Sequence, residues 1–462
     1  MSCLSRLSRR AALAAGLVFA TLSMPGGAHA FVGERVVSPG GIEAWLVQSS
    51  EVPVIAMDFS FEGGSTLDPE GKEGVADFVS VMLDEGAGDM DSRAFQAALN
   101  ENSIGIGFSA ARDRFSGQLY TLTDTSDLAF SLLAKALTEP RFDAEPMERM
   151  RAVLTVNLQD ALKDPGAIAG RAWWATAFPD HPYGRPVEGT LDTIPLITAD
   201  DLHQFAATRF ARDNLIVGVV GDISAEALGP LLDRTFGALP EHATPWQLPD
   251  AEMAGQGEIL YVDVDLPQTI FLFGQPGPVA RSPEYHAVNV VNRVLGGDGF
   301  SARLYLESRE KRGLTYGVSS WLAGLDHAGL IMGSTSTVNE RAGETLQVLL
   351  AEWAKMAAEG PSDQEVDEAK LYINGAYPLS YDNTSSIASA LRAYQELGLP
   401  ADYYDVRHEL VDAVTPDIAR ETARRWFNAD DLLVVVVGRP VGIEPTRTAS
   451  DAMKAMIGLP AE

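Results

Sequence analysis

Residues 74–86 read GVADFVSVMLDEG. Drawn as a helix, this run is apolar almost all round, with Asp77, Ser80 and Val81 on one face. Two polar side chains on a helix patterned for burial raise the question of chemistry. A second candidate is SREKRGLTY, residues 308–316, which predicts Arg309 near a helix end, a break at Gly313 and Tyr316 at the start of a strand. A guanidinium and a phenol are fixed hydrogen-bond donors suited to developing negative charge. Taken singly, each has a plainer reading: an arginine on a solvated helix face and a strand tyrosine in the core.

Other combinations carry less. After residue 30 the histidines are His181, His203, His242, His286, His327 and His408, and no two are spaced as a ligand pair. RHELVD, residues 407–412, has Asp412 where a zinc helix needs its second histidine. GGDG, residues 296–299, follows a helical stretch and lacks a following lysine. A flexible turn lining a cleft fits Gly296 and Gly297 better than a phosphate loop. Trp173 and Trp174, beside Ala and Phe178 at helical spacing, read as core or interface packing rather than a carbohydrate platform.

The elements that must hold these residues start after an export signal. Residues 1–30 have a basic start (Arg6, Arg9, Arg10), an apolar middle and the small-residue end AHA. Arg9-Arg10 hints at the twin-arginine route. Cys3 is the single cysteine and lies in this segment, so the mature chain is expected to have no disulfide, thiolate nucleophile or Cys-ligated zinc. No later apolar run is long enough to span a bilayer, and a soluble periplasmic product is expected. With the signal's three arginines removed, 32 basic residues stand against 64 acidic ones, a charge of −32. Such a chain repels phosphate backbones, which argues against nucleic-acid binding.

The remaining length suits two or three domains, and an internal repeat favours two. RFARDNLIVGVVGDI and WFNADDLLVVVVGRP pair Phe210 with Phe427, Asp213 with Asp430, Leu215 with Leu432 and Gly221 with Gly438, all at an offset of 217. Thr198 and Thr415 keep that offset upstream. Each copy reads as a helix opened by Thr with an acidic residue, a short loop, and a buried strand ending at Gly. Further helices are predicted over 126–139, 145–163, 284–295, 340–359 and 363–378. The expected organisation is a signal (1–30), a first domain (31–240), a Pro/Gly-rich linker (241–257) and a second domain (258–462). The fold class is α+β: two homologous domains, each a mainly antiparallel sheet with helices packed on one side.

Three segments together resemble the M16 peptidase family of pitrilysin, insulinase and mitochondrial processing peptidase, in its bacterial short-chain subgroup. FSFEGGSTLDPEGKEGVADFVSVMLDEGAG resembles its first strand, Gly-Ser turn and metal helix. Residues 164–190 resemble the stretch after the helix of the third ligand, and GGDGFSARLYLESREKRGLTYGVSS resembles the C-terminal substrate-binding signature. The family's G-x-A-H-x-x-E-H-M helix binds zinc through two histidines one turn apart, while the glutamate takes a proton from bound water. Aligned on Gly74-Val75-Ala76 and Met82, those three positions are Asp77, Ser80 and Val81. The third ligand, normally Glu, falls on Asn157. Glu145, Glu148 and Asp160 read as the solvated face of their helix rather than substitutes.

The resemblance therefore implies no catalytic residue, metal or cofactor in this chain. It implies that Arg309 and Tyr316, with Gly296 and Gly297, bind the substrate backbone and help stabilise the oxyanion. The implied function is a non-catalytic subunit in a heterodimer with an HxxEH-bearing M16 subunit that carries the zinc, acting on unfolded peptides. The alternatives are a peptide-binding or scaffolding protein without a proteolytic partner, and an active metallopeptidase with atypical ligands.

Overall fold

The computed structural model describes residues 32–297, 299–456 and 459. The expected export signal, residues 1–30 with Cys3, and Asp298 lie outside the described residues. The first half contains β1 (Glu34–Val37), β2 (Glu43–Gln48), β3 (Val54–Glu62), α1 (Val75–Ser80), a hairpin of β4 (Gly86–Ala87) and β5 (Met90–Asp91), α2 (Ser92–Glu101), β6 (Gly105–Ala110) and β7 (Arg114–Leu122). It continues through α3 (Ser126–Thr138), α4 (Ala144–Ala161), α5 (Pro165–Ala177), α6 (Ala199–Arg209), β8 (Leu215–Gly221) and α7 (Ala225–Phe236). The second half contains β9 (Ile259–Asp263), β10 (Gln268–Pro276), α8 (Tyr285–Leu295), α9 (Arg303–Tyr305), β11 (Val318–Gly324), β12 (Gly329–Val338) and α10 (Ala342–Glu359). It ends with α11 (Asp363–Ala376), α12 (Thr384–Glu396), α13 (Tyr403–Asp412), α14 (Pro416–Trp426), β13 (Leu433–Gly438), β14 (Arg447–Thr448) and α15 (Asp451–Met456). No described helix is long and apolar enough to cross a membrane.

The repeated apolar runs become equivalent central strands. The first sheet has the order β1-β2-β8-β3-β7-β6 and the second β11-β12-β10-β13-β9-β14. Five strands thus follow one pattern, β2-β8-β3-β7-β6 in the first half and β9-β13-β10-β12-β11 in the second. In each, one pair is parallel (β2 with β8, β9 with β13) and the other three are antiparallel. Register repeats too: Phe59 stands between Val217 and Gly117, and Phe273 between Val434 and Gly333. Each buried ring covers its glycine, since a Cβ would fall 2.2 Å from Phe59 at Gly117 and 2.3 Å from Phe273 at Gly333. Gly117→Ala and Gly333→Ala are each expected to lower the unfolding free energy by about 1–3 kcal/mol, read from urea midpoints.

Each repeated helix is opened as its sequence predicts. Thr198 and Asp201 form a reciprocal cap on α6, and Thr415 accepts the Ile418 N–H at the start of α14, with Pro416 in the first turn. Each sheet carries a layer of its own half's helices on one face. Phe78, Leu133, Leu158 and Leu232 pack there in the first half, and Val291, Leu349, Trp353 and Ala423 in the second. The opposite faces are covered by exchange. α12 of the second half lies on β8 and β3, and α5 of the first half lies on β13 and β10.

Small residues let these two helices approach. A Cβ on Gly218 would fall 2.5 Å from the Ala388 carbonyl of α12, and one on Gly274 would fall 2.7 Å from Trp173 of α5. Trp173 is fully buried and donates from Nε1 to the Leu433 carbonyl at 3.2 Å, while Gln395 donates to the Val217 carbonyl at 2.9 Å. Cover on both faces explains why Val217–Gly221 and Leu433–Gly438 are buried throughout, without the alternation of a half-exposed strand.

Candidate functional site

The helix carrying Asp77 is capped from outside. Asp68 is buried and accepts the N–H groups of Gly74 at 2.8 Å and Ala76 at 3.0 Å. Burial pushes its carboxyl up to about 7, against the pull of those N–H groups.

The helix is shorter than GVADFVSVMLDEG predicts. α1 ends at Ser80, whose Oγ donates to the Asp77 carbonyl at 2.7 Å and so competes with continued helix. Val81 leaves helical geometry at φ −89, ψ 0, and beyond it turn-type bonds, Met82 N–H to Val79 and Glu85 N–H to Met82, mix with a last helical one from the Leu83 N–H to Val79. Gly86 then sits at φ 114, ending any continuation. The apolar pattern is nevertheless spent on the core: Val75, Phe78, Val79, Met82 and Leu83 are all buried.

Asp77 is only partly exposed, and burial, then the charge of Glu188, push its carboxyl up to about 6. A carboxyl raised on folding stabilises the fold below its unfolded value of 3.8 and loses that contribution as pH rises through about 6. Asp77→Asn is therefore expected to be more stable than the parent at about pH 8, by up to ~2 kcal/mol, with the advantage nearly gone at about pH 4. Chemical unfolding of both chains at the two pH values reads this directly.

Asp77 is the one possible zinc ligand at these positions, and the rest of the set does not complete a site. Ser80 Oγ is committed to a main-chain carbonyl, valine has no donor, and Asn157 lies exposed on α4 between buried Leu154 and Leu158. Among the described residues, no three His, Cys, Asp or Glu side chains gather as a metal-binding group. Glu145, Glu148 and Asp160 pair with Arg149, Arg151 and Lys163 on the outer face of α4 and its end. The histidines make scattered contacts: His181 with the Tyr183 N–H, His242 with Asp213, His286 with Tyr403, His327 with Asp250, and His408 with the Asp405 carbonyl. His203 packs on Phe142.

Arg309 and Tyr316 are brought together, by a route the spacing does not reveal. Arg309 lies in a widened π-type turn, Leu306–Glu310, that follows α9. Its Nη1 donates to the Tyr316 main-chain carbonyl at 2.6 Å, and its guanidinium lies 5.2 Å from the Tyr305 ring. Tyr316 precedes β11 by two residues rather than starting it, because its neighbours are tied to β12 instead. Thr315 Oγ1 pairs with Thr335 Oγ1 at 2.9 Å and donates to the Gly317 carbonyl at 2.8 Å, and Thr337 Oγ1 donates to the Leu314 carbonyl at 2.5 Å. This buried threonine clamp holds the backbone down and leaves the Tyr316 side chain 81% exposed. A large aromatic held out this way is available to a ligand or partner.

Gly296 and Gly297 are not a loose turn. Ser320 N–H donates to the Gly296 carbonyl at 2.6 Å, and Asn292 and Ser320 exchange two further hydrogen bonds. A Cβ would fall 2.5 Å from Ser320 Oγ at Gly296 and 2.7 Å from the Arg293 Cα at Gly297. The glycines let the end of α8 close on β11.

Residues 46–191 match the family model for insulinase (peptidase family M16), and residues 196–372 match the peptidase M16 inactive domain. The chain belongs to the M16 peptidase family. Among M16 structures, the crystal structure of a peptidase M16 inactive domain from Pseudomonas fluorescens is similar at TM-score 0.83 and 26% identity, covering 89% of this chain and 99% of that one. An uncharacterized zinc protease of Mycobacterium leprae is 26% identical over 405 residues, which is 85% of this chain and 89% of the relative. A Helicobacter pylori protein named non-peptidase homolog YmxG is 25% identical over 365 residues, 76% of this chain and 81% of the relative.

Proposed function

We propose that this M16 chain is the non-peptidase subunit of a two-chain periplasmic zinc endopeptidase. An HxxEH-bearing M16 partner holds the metal and the general base, and this chain supplies Arg309 and Tyr316 to the substrate backbone and the developing oxyanion. One observation carries the reading. The positions aligned with the metal helix hold Asp77, Ser80 and Val81, which keep one possible ligand of two and no general base, while Tyr316 is held out to solvent with Arg309 locked against it. Unfolded peptides would add at a sheet edge such as β6, whose outer side pairs with no described strand.

A peptide-binding protein without a proteolytic partner is the second reading, and the relative named as a non-peptidase homolog favours it equally. Pull-down from periplasm separates the two: repeated recovery of an HxxEH-bearing chain supports the heterodimer. Metal analysis of the purified mature chain tests what both share. No stoichiometric zinc is expected, whereas one zinc per chain that disappears in Asp77→Ala would overturn both.

A further inference from the structure

Glu188, whose charge acts on Asp77, lines a cavity of ≈ 220 Å³ between α5 and residues 184–188. Three guanidinium groups, Arg112, Arg171 and Arg185, line it with a single carboxylate, Glu188, in a chain whose net charge is −29. Arg171 is matched, with Nε at 3.0 Å and Nη2 at 2.6 Å from Glu188 Oε1. Arg185 has a weak partner, Glu73 at 4.0 Å, and its Nη1 reaches the Asp68 carbonyl at 3.4 Å.

Arg112 differs from both. Its Nε donates to the Tyr183 carbonyl at 3.0 Å and its guanidinium stacks 3.8 Å from the Trp174 ring. Tyr183 is fixed in turn by its hydroxyl, which donates to Asp113 at 2.8 Å, and Trp174 stacks on Phe178. Arg112 makes no ion pair among the described residues, and its two terminal amino groups have no protein acceptor there. Burial lowers its pKa to about 10, against the pull of the Glu188 and Asp113 carboxylates nearby. A desolvated, pre-positioned guanidinium fork of this kind is the arrangement that takes a carboxylate through two N–H groups. Trp174, Ala167, Val187 and Gly170 supply an apolar wall, and a Cβ at Gly170 would meet nothing within 4 Å.

We propose that this cavity binds a carboxylate flanked by an apolar side chain, as at the C-terminal residue of a peptide, with Arg112 on the carboxylate and Trp174 on the side chain. The volume suits one residue, and a chain terminus held here would lie next to α1. The proposal rests on the reading that the chain handles peptides, but needs no partner and no turnover.

Calorimetric titration of the full mature chain tests it with the probe N-acetyl-Ala-Ala-Leu as the free acid, its C-terminal amide, and N-acetyl-leucine. The free acid is expected to bind, the amide about tenfold or more weaker. Arg112→Gln and Gly170→Leu, the second filling the cavity from a helix interior, are each expected to weaken the free acid by about tenfold or more while circular dichroism stays unchanged. Equal binding of acid and amide, no binding by the folded parent, or full binding by Gly170→Leu would overturn the assignment. Equal affinity for N-acetyl-leucine would overturn the peptide terminus as its source. Zinc content and partner capture are measured apart, so their failure leaves this result readable.

Discussion

Arg392→Ala is expected to lower the unfolding free energy by about 3–5 kcal/mol, the largest stability loss anticipated outside the apolar cores. Arg392 lies on α12, the second-half helix that covers the first sheet. Its Nε donates to Asp58 Oδ1 at 2.6 Å and its Nη1 to Glu396 Oε1 at 2.5 Å. Asp58 is buried on β3 and accepts a further bond from Ser389; Ser60 donates to Glu396 at 2.6 Å. Arg114 of β7 lies 3.8 Å from Glu396 and 2.5 Å from Asp326, so one network ties β3 and β7 to two second-half segments. Truncating Arg392 leaves the Asp58 charge buried without its cation, which costs more than the pair itself contributes. The double variant Asp58→Leu/Arg392→Met is accordingly expected to recover most of the loss. Urea unfolding of Asp58→Leu, Arg392→Met and the double gives the coupling, and additive losses would contradict the linkage.

Tyr316→Phe is expected to cut turnover by the proposed two-chain peptidase about 100-fold, with Arg309→Ala at least as damaging. The first change removes one hydroxyl from an exposed ring and leaves the threonine clamp of Thr315, Thr335 and Thr337 intact. The second removes a cation and also releases the Tyr316 carbonyl it holds. Neither side chain is needed by the core, so melting temperatures should move little. Steady-state peptide hydrolysis by the mixed subunits decides the point. Turnover within about threefold of the parent would return both residues to surface roles.

The repeat explains how much of this fold is legible in the chain. Strand ends at Gly221 and Gly438, each preceded by a helix opened by Thr, are local signals, and the five-strand order they share follows from duplication. The exchange of α5 and α12 leaves no such signal. A helix face of Ala, Ile and Trp looks the same whether its sheet is thirty or two hundred residues away. Val217–Gly221 carries the indirect trace, since a strand without alternation must be covered twice.

The site divides the same way. Residue types alone disqualify Ser80 and Val81 as ligands. The early end of α1 depends on one hydroxyl back-bond, which periodicity does not register. The exposure of Tyr316 comes from threonines some twenty residues away on β12, and the pre-positioning of Arg112 from Tyr183 and Trp174. Contacts so distant in sequence leave no spacing to read.

Reconstitution with an HxxEH-bearing M16 chain from the same organism tests the proposed two-subunit peptidase. A one-to-one complex holding a single zinc and hydrolysing unfolded peptides is expected, while this chain alone is expected to hold none and cleave nothing. Peptide cleavage by the isolated chain, or full activity of the zinc-bearing chain without it, would contradict the account.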